Sequence, residues 1–312
     1  MSAPRQFAGL DQVALPPQPL HLAIGMFDGL HRGHQSVINA ALAGARGNGG
    51  LAGVLTFWPH PSVLFRPTAP TQMLMSPEMK RAVLGRLGLD FIIEQNFSPA
   101  LAQIAAEDFL PYLQRSLPQL AAIYVGENWR FGRERRGDVG QLIAAAKQVG
   151  LSVFSAPRLN HEGEPISSSR IRGLLSQGQI AAANALLGYV YFAAGMVQPG
   201  RQLGRQLGFP TLNIAWVPEL QPRLGVYAVK VTLPSGQVVN GVANYGLRPT
   251  VGLATAPLLE VHLLEATTAD AGDYLTVSWL QYLRPEQKFA GVDALRAQIA
   301  LDRQKAIDFF GQ

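Results

Sequence analysis

The strongest constraint on what this chain can fold into is a change of texture close to residue 188. Before it, short apolar runs alternate with helix-like runs; after it, nearly every run is short and β-like. The first part offers strand candidates at 21–24, 51–57, 91–94, 121–126 and 151–155. Between and after them lie helix candidates at 33–46, 77–88, 105–117, 138–149 and 168–176. The run 33–46, for example, puts Val37, Ile38, Ala41, Leu42 and Ala45 on one face. Such alternation predicts an α/β unit: a mostly parallel, Rossmann-like sheet with helices on both faces. In the second part, β-like runs at 189–197, 225–233, 237–243, 258–264 and 274–282 are separated by turn chemistry such as Pro234-Ser235-Gly236. That spacing predicts an antiparallel barrel or sandwich. A helix at 292–310 closes the chain, with Val292, Leu295 and Ile299 on one face. A boundary at Leu186-Leu187-Gly188 gives two domains, 1–186 and 187–312, which suits a length of 312 residues. Pro16-Pro17-Gln18-Pro19 reads as an extended lead-in.

Composition narrows the class. No apolar run approaches the roughly 20 residues of a membrane helix, and Met1 to Gln12 lacks the basic and apolar regions of a secretory signal. With no cysteine there are no disulfides and no thiolate metal sites, which fits a cytoplasmic protein. The net charge of +5 and a pI near 9.6 suit phosphorylated partners. Arg130, Arg133, Arg135 and Arg136, interleaved with Trp129 and Phe131, form the densest basic cluster. It reads as a solvated loop or as a phosphate or flavin contact; nucleic acid is a remoter reading, separable by salt-sensitive binding.

Between the first long strand run and its helix stands Gly25-Met26-Phe27-Asp28-Gly29-Leu30-His31-Arg32-Gly33-His34. A strand, a glycine-bearing turn and a helix make the usual phosphate cradle of such sheets. Here the turn carries two histidines in place of the dinucleotide glycine pattern. Imidazoles at a helix N-terminus can meet the charge that develops when a nucleotide phosphate is attacked, so the reaction type indicated is nucleotidyl transfer. About 130 residues on, Ser167-Ser168-Ser169 precedes a helical run bearing Arg170 and Arg172. The hydroxyls can cap the helix while its free N–H groups face an anion, and the arginines add fork-shaped donors. A plain cap with surface arginines is the alternative.

The second half has no G-x-x-x-x-G-K-[ST] phosphate loop. It has instead Gly200-Arg201-Gln202-Leu203-Gly204-Arg205-Gln206-Leu207-Gly208-Phe209-Pro210-Thr211-Leu212-Asn213. A loop this rich in glycine can wrap phosphates with backbone N–H groups, although a glycine-rich barrel corner reads the same way. Thr211 and Asn213, at i and i+2 in an extended segment, can share a hard cation such as Mg2+. In Leu258-Leu259-Glu260-Val261-His262-Leu263, alternation puts Glu260 and His262 on one face.

Together these motifs resemble those of the bifunctional riboflavin kinase/FAD synthetases of bacteria, whose first half belongs to the H-x-G-H nucleotidylyltransferases. Thr56-Phe57-Trp58-Pro59-His60-Pro61, Val125 to Gly132, Asn244 to Thr250 and Tyr282 to Phe289 match further blocks in the expected order. The resemblance implies an N-terminal FMN adenylyltransferase and a C-terminal six-stranded β-barrel kinase with a terminal helix, both using ATP and Mg2+. It implies that His31 and His34 stabilise phosphate charge and that Gly25, Phe27, Asp28 and Gly33 shape the ATP pocket. Ser168, Ser169 and Arg172 would hold the triphosphate, and Asn128, Arg130 and His60 would lie near the flavin. In the kinase, Glu260 would be the general base and Thr211 with Asn213 would position Mg2+. Gly204, Arg205, Gly208, Pro210 and Asn244 would bind nucleotide or flavin. The partners implied are riboflavin, FMN, FAD and ATP, with no nucleic acid and no membrane, in a monomer or weak homo-oligomer. The chain departs from the usual pattern at Asn128-Trp129 (commonly Asp-Phe), at Leu212 in Pro-Thr-Leu-Asn (commonly Ala), at Glu265 (commonly Asp) and in Asp270 to Tyr274, where a Tyr-Gly pair is common. Two alternatives stay open: one surviving activity, or a flavin-binding regulator without turnover.

Overall fold

A computed structural model describes residues 3–200, 208–247 and 257–311. The chain divides into two compact units, Met1–Ser168 and Ser169–Gln312.

The first unit is built on a six-stranded, wholly parallel sheet: β1 (Arg5–Phe7), β2 (Leu20–Ile24), β3 (Leu51–Trp58), β4 (Phe91–Asn96), β5 (Leu120–Gly126) and, after two short ribbon strands β6 (Arg130–Phe131) and β7 (Gly137–Asp138), β8 (Ser152–Ala156). A second ribbon, β9 (Asn160–His161) with β10 (Glu164–Pro165), follows. The sheet order is β1-β4-β3-β2-β5-β8. The helices are α1 (Arg32–Asn48), α2 (Pro61–Phe65), α3 (Pro77–Gly85), α4 (Pro99–Ala102), α5 (Ala106–Ser116) and α6 (Val139–Gln148).

Central β2 is buried on both sides, which is why it reads as an unbroken apolar run. Leu20, Leu22 and Ile24 join a core with Phe109, Leu113 and Leu142 of α5 and α6. The opposite face, with His21 and Tyr124, meets α1; a Cβ on Gly44 would stand 2.7 Å from His21 Nδ1, so only glycine lets the helix approach this closely. His21 has a structural role: Nδ1 lies 2.8 Å from Tyr124 Oη and Nε2 lies 3.0 Å from Asn48 Oδ1. From β2 the chain winds outward one way through β3 and β4, then resumes on the other side at β5. The carboxyl ends of β2 and β5 therefore flank a crevice, the switch point where open α/β sheets bind ligands.

The second unit contains α7 (Ser168–Ser176, whose first residue belongs to the first unit), α8 (Ile180–Leu187) and a closed antiparallel barrel. The barrel strands are β11 (Phe192–Gln198), β12 (Leu212–Ile214), β13 (Gly225–Thr232), β14 (Val238–Leu247), β15 (Pro257–Leu263) and β16 (Tyr274–Arg284), in the order β11-β12-β15-β14-β13-β16 with β16 returning to β11. Of barrel and sandwich, it is the barrel that forms. Aromatic rings fill its inside: Tyr227 and Trp279 at 4.5 Å, Trp216 and Tyr245 at 5.5 Å. The packing groups α7 and α8 with the barrel. Leu175 O accepts from Arg223 N–H at 3.0 Å, and the Asn184 side chain donates to Trp279 O at 2.9 Å and accepts from Tyr191 N–H at 2.8 Å.

The terminal helix α9 (Val292–Phe310) lies over β13 and β14, with Ala306 against Val226, Ala228 and Val242. Its anchor is a buried ion pair. Arg284 at the end of β16 donates from Nη2 to Asp302 Oδ2 at 2.7 Å and from Nε to both carboxylate oxygens at 2.9 and 3.0 Å, and Gln298 adds a bond of 2.8 Å. Arg284→Leu is expected to lower the stability of this unit by about 3 kcal/mol, because Asp302 would stay buried without its cation. Urea unfolding followed by the circular dichroism of the unit checks this; a loss under about 1 kcal/mol would mean the helix is held by its apolar contacts.

Candidate active sites

The turn after β2 owes its course to residues in the left-handed region: Phe27 at φ 50°, Gly29 at 77° and Leu30 at 40°. A buried aromatic residue rarely adopts this conformation and needs its surroundings to hold it. Residues from outside the turn hold it by hydrogen bonds. Asp28 Oδ1 accepts from Leu74 N–H at 2.9 Å, the Asp28 carbonyl accepts from Ser168 Oγ at 2.9 Å, and the Met26 carbonyl accepts from Thr56 Oγ1 at 3.1 Å and Lys80 Nζ at 3.2 Å. Asp28 is thus buried as a latch on the loop before α3, beneath the cavity rather than on its wall.

The turn delivers His31 as the N-cap of α1, its Nδ1 accepting from His34 N–H at 3.3 Å. That bond leaves the proton of the neutral ring on Nε2, so the free edge of His31 is a donor. The two imidazoles stack at 3.6 Å with 16° between their planes, and Phe27 meets His34 edge-on at 5.5 Å. Gly33 permits the stack: a Cβ there would press on the His31 ring at 3.2 Å. Burial pushes the His31 pKa down to about 4. Burial also holds His34 well below the usual histidine range, with the neighbouring His31 and Lys80 charges adding to the effect. Both rings are therefore neutral hydrogen-bonding groups near pH 7.

The sign of the resulting stability effect follows directly. Unfolded histidines titrate near 6.5 and His31 only near 4, so as pH falls through this window the unfolded chain takes up protons first. The stabilisation is complete above pH 6.5 and is lost progressively toward pH 4, by on the order of 3 kcal/mol for His31 alone. Denaturant unfolding at pH 7 and pH 4.5 should show this loss, and His31→Gln should flatten part of it. Parallel pH slopes for the two proteins would refute the assignment.

Two cavities open from this turn. One, of about 230 Å³, is lined by Gly25, Phe27, His31, Gly33, His34 and Asn128, among others from the ends of β2, β5 and β8. The other, of about 530 Å³, has aromatic walls from Phe57, Phe97 and Trp129, with His60 and Arg130 at its side. Gly25, Met26, Asn128 and Trp129 border both. A narrow chamber edged by the histidine pair thus adjoins a broad aromatic one, an arrangement that suits joining a nucleotide to a planar acceptor. His60 N-caps α2, its Nδ1 accepting from Ser62 N–H at 3.0 Å. Arg130 pairs at 3.5 Å with half-exposed Asp138. Of the serine motif, Ser168 bonds to the turn, while Ser169 and Arg172 lie on α7 in the second unit.

In the second unit a cavity of about 250 Å³ is lined by Thr211, Asn244, Glu260, His262 and Arg284, together with α9 side chains. Register explains the grouping. Glu260 on β15 pairs with Asn213 of β12 on one side and Asn244 of β14 on the other, a row of three polar residues across three strands. Leu259 and Val261 point into the barrel core, leaving Glu260 and His262 on the cavity side. His262 Nδ1 lies 2.8 Å from the Pro210 carbonyl, an N–H donor by that partner, tying β15 to the segment that carries Thr211. Thr211, Asn213 and Glu260 present only oxygen acceptors and one amide, a donor set that suits a small hard cation. Gly208 and Pro210 flank this segment, whereas Gly204 and Arg205 lie outside the described residues.

The comparisons with known proteins fit this geometry. The family described as FAD synthetase matches residues 15–170, and that described as riboflavin kinase matches residues 187–310. The bifunctional riboflavin kinase/FMN adenylyltransferase of Escherichia coli K12 is 34% identical over 95% of this chain and 94% of its own. The chain belongs to this family. The Bacillus subtilis member is 34% identical over 93% of this chain and 92% of its own. A solved structure from Streptococcus pneumoniae, described as a macrolide-efflux protein, matches with a TM-score of 0.87 at 26% identity, over 97% of this chain and 98% of that one. Its description names another activity, and the likeness is one of fold. Among the described residues no helix is long and apolar enough to cross a membrane.

Sequence reading passed over Lys80 and Asp302 and met Arg284 only within the block 282–289, without a role. Lys80 leaves a trace in the sequence, since it shares the inward face of α3 with Val83 and Leu84, where a charge is out of place. Arg284 and Asp302 leave none, because their pairing depends on where α9 lies.

Proposed function

We propose that this bifunctional riboflavin kinase/FMN adenylyltransferase makes FMN with residues 187–312 and FAD with residues 1–186. The observation that carries the reading is the pair of unlike sites: a neutral histidine pair beside an aromatic chamber in one unit, a carboxylate within an amide row in the other.

In the first unit, a phosphate oxygen of FMN attacks the α-phosphorus of ATP, and the bond to the β-phosphate breaks with release of pyrophosphate. The Nε2–H of His31 and the His34 ring donate to the phosphate oxygens as charge grows on them, with no covalent intermediate. Gly25, Phe27 and Gly33 shape the nucleotide chamber and Asp28 holds the turn. Asn128, Arg130 and His60 bound the flavin chamber. Ser168, bonded to the turn, takes the triphosphate.

In the second unit, Glu260 accepts the proton of the riboflavin 5′-hydroxyl while its oxygen bonds the γ-phosphorus and ADP leaves. Thr211 and Asn213 would hold Mg2+, which when bound offsets phosphate charge. Gly204, Arg205, Gly208, Pro210 and Asn244 complete nucleotide and flavin binding. Each unit carries its own cavity, so a monomer or weak homo-oligomer suffices, and the setting is cytoplasmic.

The test is product chromatography on the full chain with ATP and Mg2+, with riboflavin in one tube and FMN in another. FMN and FAD in the first, with FAD and pyrophosphate in the second, are expected. FAD only from added FMN would mean a degenerate kinase. Flavin binding without product in either tube would make the protein a regulator.

A further inference from the structure

Lys80 is one of five lysines in the chain and the only described one that is fully buried. Burying an ammonium costs several kcal/mol unless its donors are used, and an apolar residue could fill the same space on α3. Two donors converge here on one atom, the Met26 carbonyl oxygen. Lys80 Nζ lies 3.2 Å from the Met26 carbonyl and 3.2 Å from Thr56 Oγ1, and that hydroxyl lies 3.1 Å from the same carbonyl. Met26 stands between Gly25, which borders both cavities, and Phe27, which begins the left-handed turn and packs edge-on against His34. The charged groups that act on Lys80 are Glu94 of β4, Asp28 of the turn and Arg81 of α3. Burial pushes its pKa down, and the two carboxylates pull it back up.

We propose that Lys80 is a positioning residue for adenylyl transfer: from behind the turn its ammonium fixes the Met26 carbonyl and sets a buried positive charge beside the phosphate cradle. Lys80 lines neither cavity, so it acts through the turn and through its field rather than by touching substrate. The role rests on the reading of the histidine turn as the adenylyl site.

The test uses the full-length enzyme. In Lys80→Met, whose side chain is close in volume, kcat for FMN adenylylation should fall by about 30-fold or more. The KM for ATP should stay within about threefold, because ground-state binding contacts are untouched. Lys80→Arg should recover part of the rate, and riboflavin phosphorylation should be unchanged in both. A kcat for Lys80→Met within about threefold of the parent, per folded molecule, overturns the proposal. If Lys80→Met fails to fold, the absence of other cysteines allows Lys80→Cys to be alkylated in denaturant and refolded. Bromoethylamine restores a cation and iodoacetamide leaves a neutral amide. At least about tenfold faster adenylylation after bromoethylamine supports the role, and equal rates reject it. Full FAD synthesis in His31→Ala and His34→Ala would instead defeat the site assignment beneath it.

Discussion

His31→Ala is expected to lower kcat for FAD formation by about 10²–10³-fold while FMN still accumulates from riboflavin. The magnitude is that of removing one preorganised donor from a developing charge. The geometry behind it is specific: Nδ1 is committed to the His34 N–H, so the free Nε2–H is the donor lost. The same change removes the cap of α1 and costs about 1 kcal/mol of stability, too little to unfold the unit. His31→Asn separates the two effects, since it can restore a cap without restoring the imidazole donor. Chromatographic rates for both products settle the matter. A comparable loss of riboflavin phosphorylation in folded His31→Ala protein would defeat the two-site scheme.

Glu260→Gln should produce the mirror result: riboflavin phosphorylation falls by about 10²–10⁴-fold, the usual contribution of a positioned general base, while added FMN is still adenylylated. Glutamine keeps the volume and one acceptor oxygen between Asn213 and Asn244, so the barrel should melt as before. The discriminating quantity is kcat rather than the KM for riboflavin. A variant that binds weakly but turns over normally would make Glu260 a binding residue and leave the base unassigned.

These experiments test residues that were legible before any fold was known, and the reason is local. His31 and His34 lie three residues apart on one turn, and Glu260 alternates with two core residues on one strand, so short-range periodicity displays both. The elements that escaped reading lack such a signal. Strand β1 is three residues long and takes its place only by pairing with β4; β12, equally short, is defined by β11 and β15. Helix α8 is apolar nearly all round, which erases the amphipathic period that marks a helix. Strand β13 was legible as the run 225–233, but its burial on both faces was not, because it arises from α9 covering the outside of a barrel whose inside is aromatic.

By itself the sequence determined the order of the elements, the α/β unit followed by a β unit, and the residue types available for phosphate chemistry, because these depend on neighbours within a few positions. Strand spacing left barrel and sandwich open and the family resemblance implied the barrel that forms; tertiary structure alone decided which histidine nitrogen donates and that the imidazoles are neutral. It alone placed Asp28 and Lys80 behind the turn and brought Arg284 to Asp302. Each of these depends on burial and on hydrogen bonds between residues far apart in the chain. Desolvation and partner geometry, the quantities that set a pKa or a tautomer, do not exist until the chain has folded.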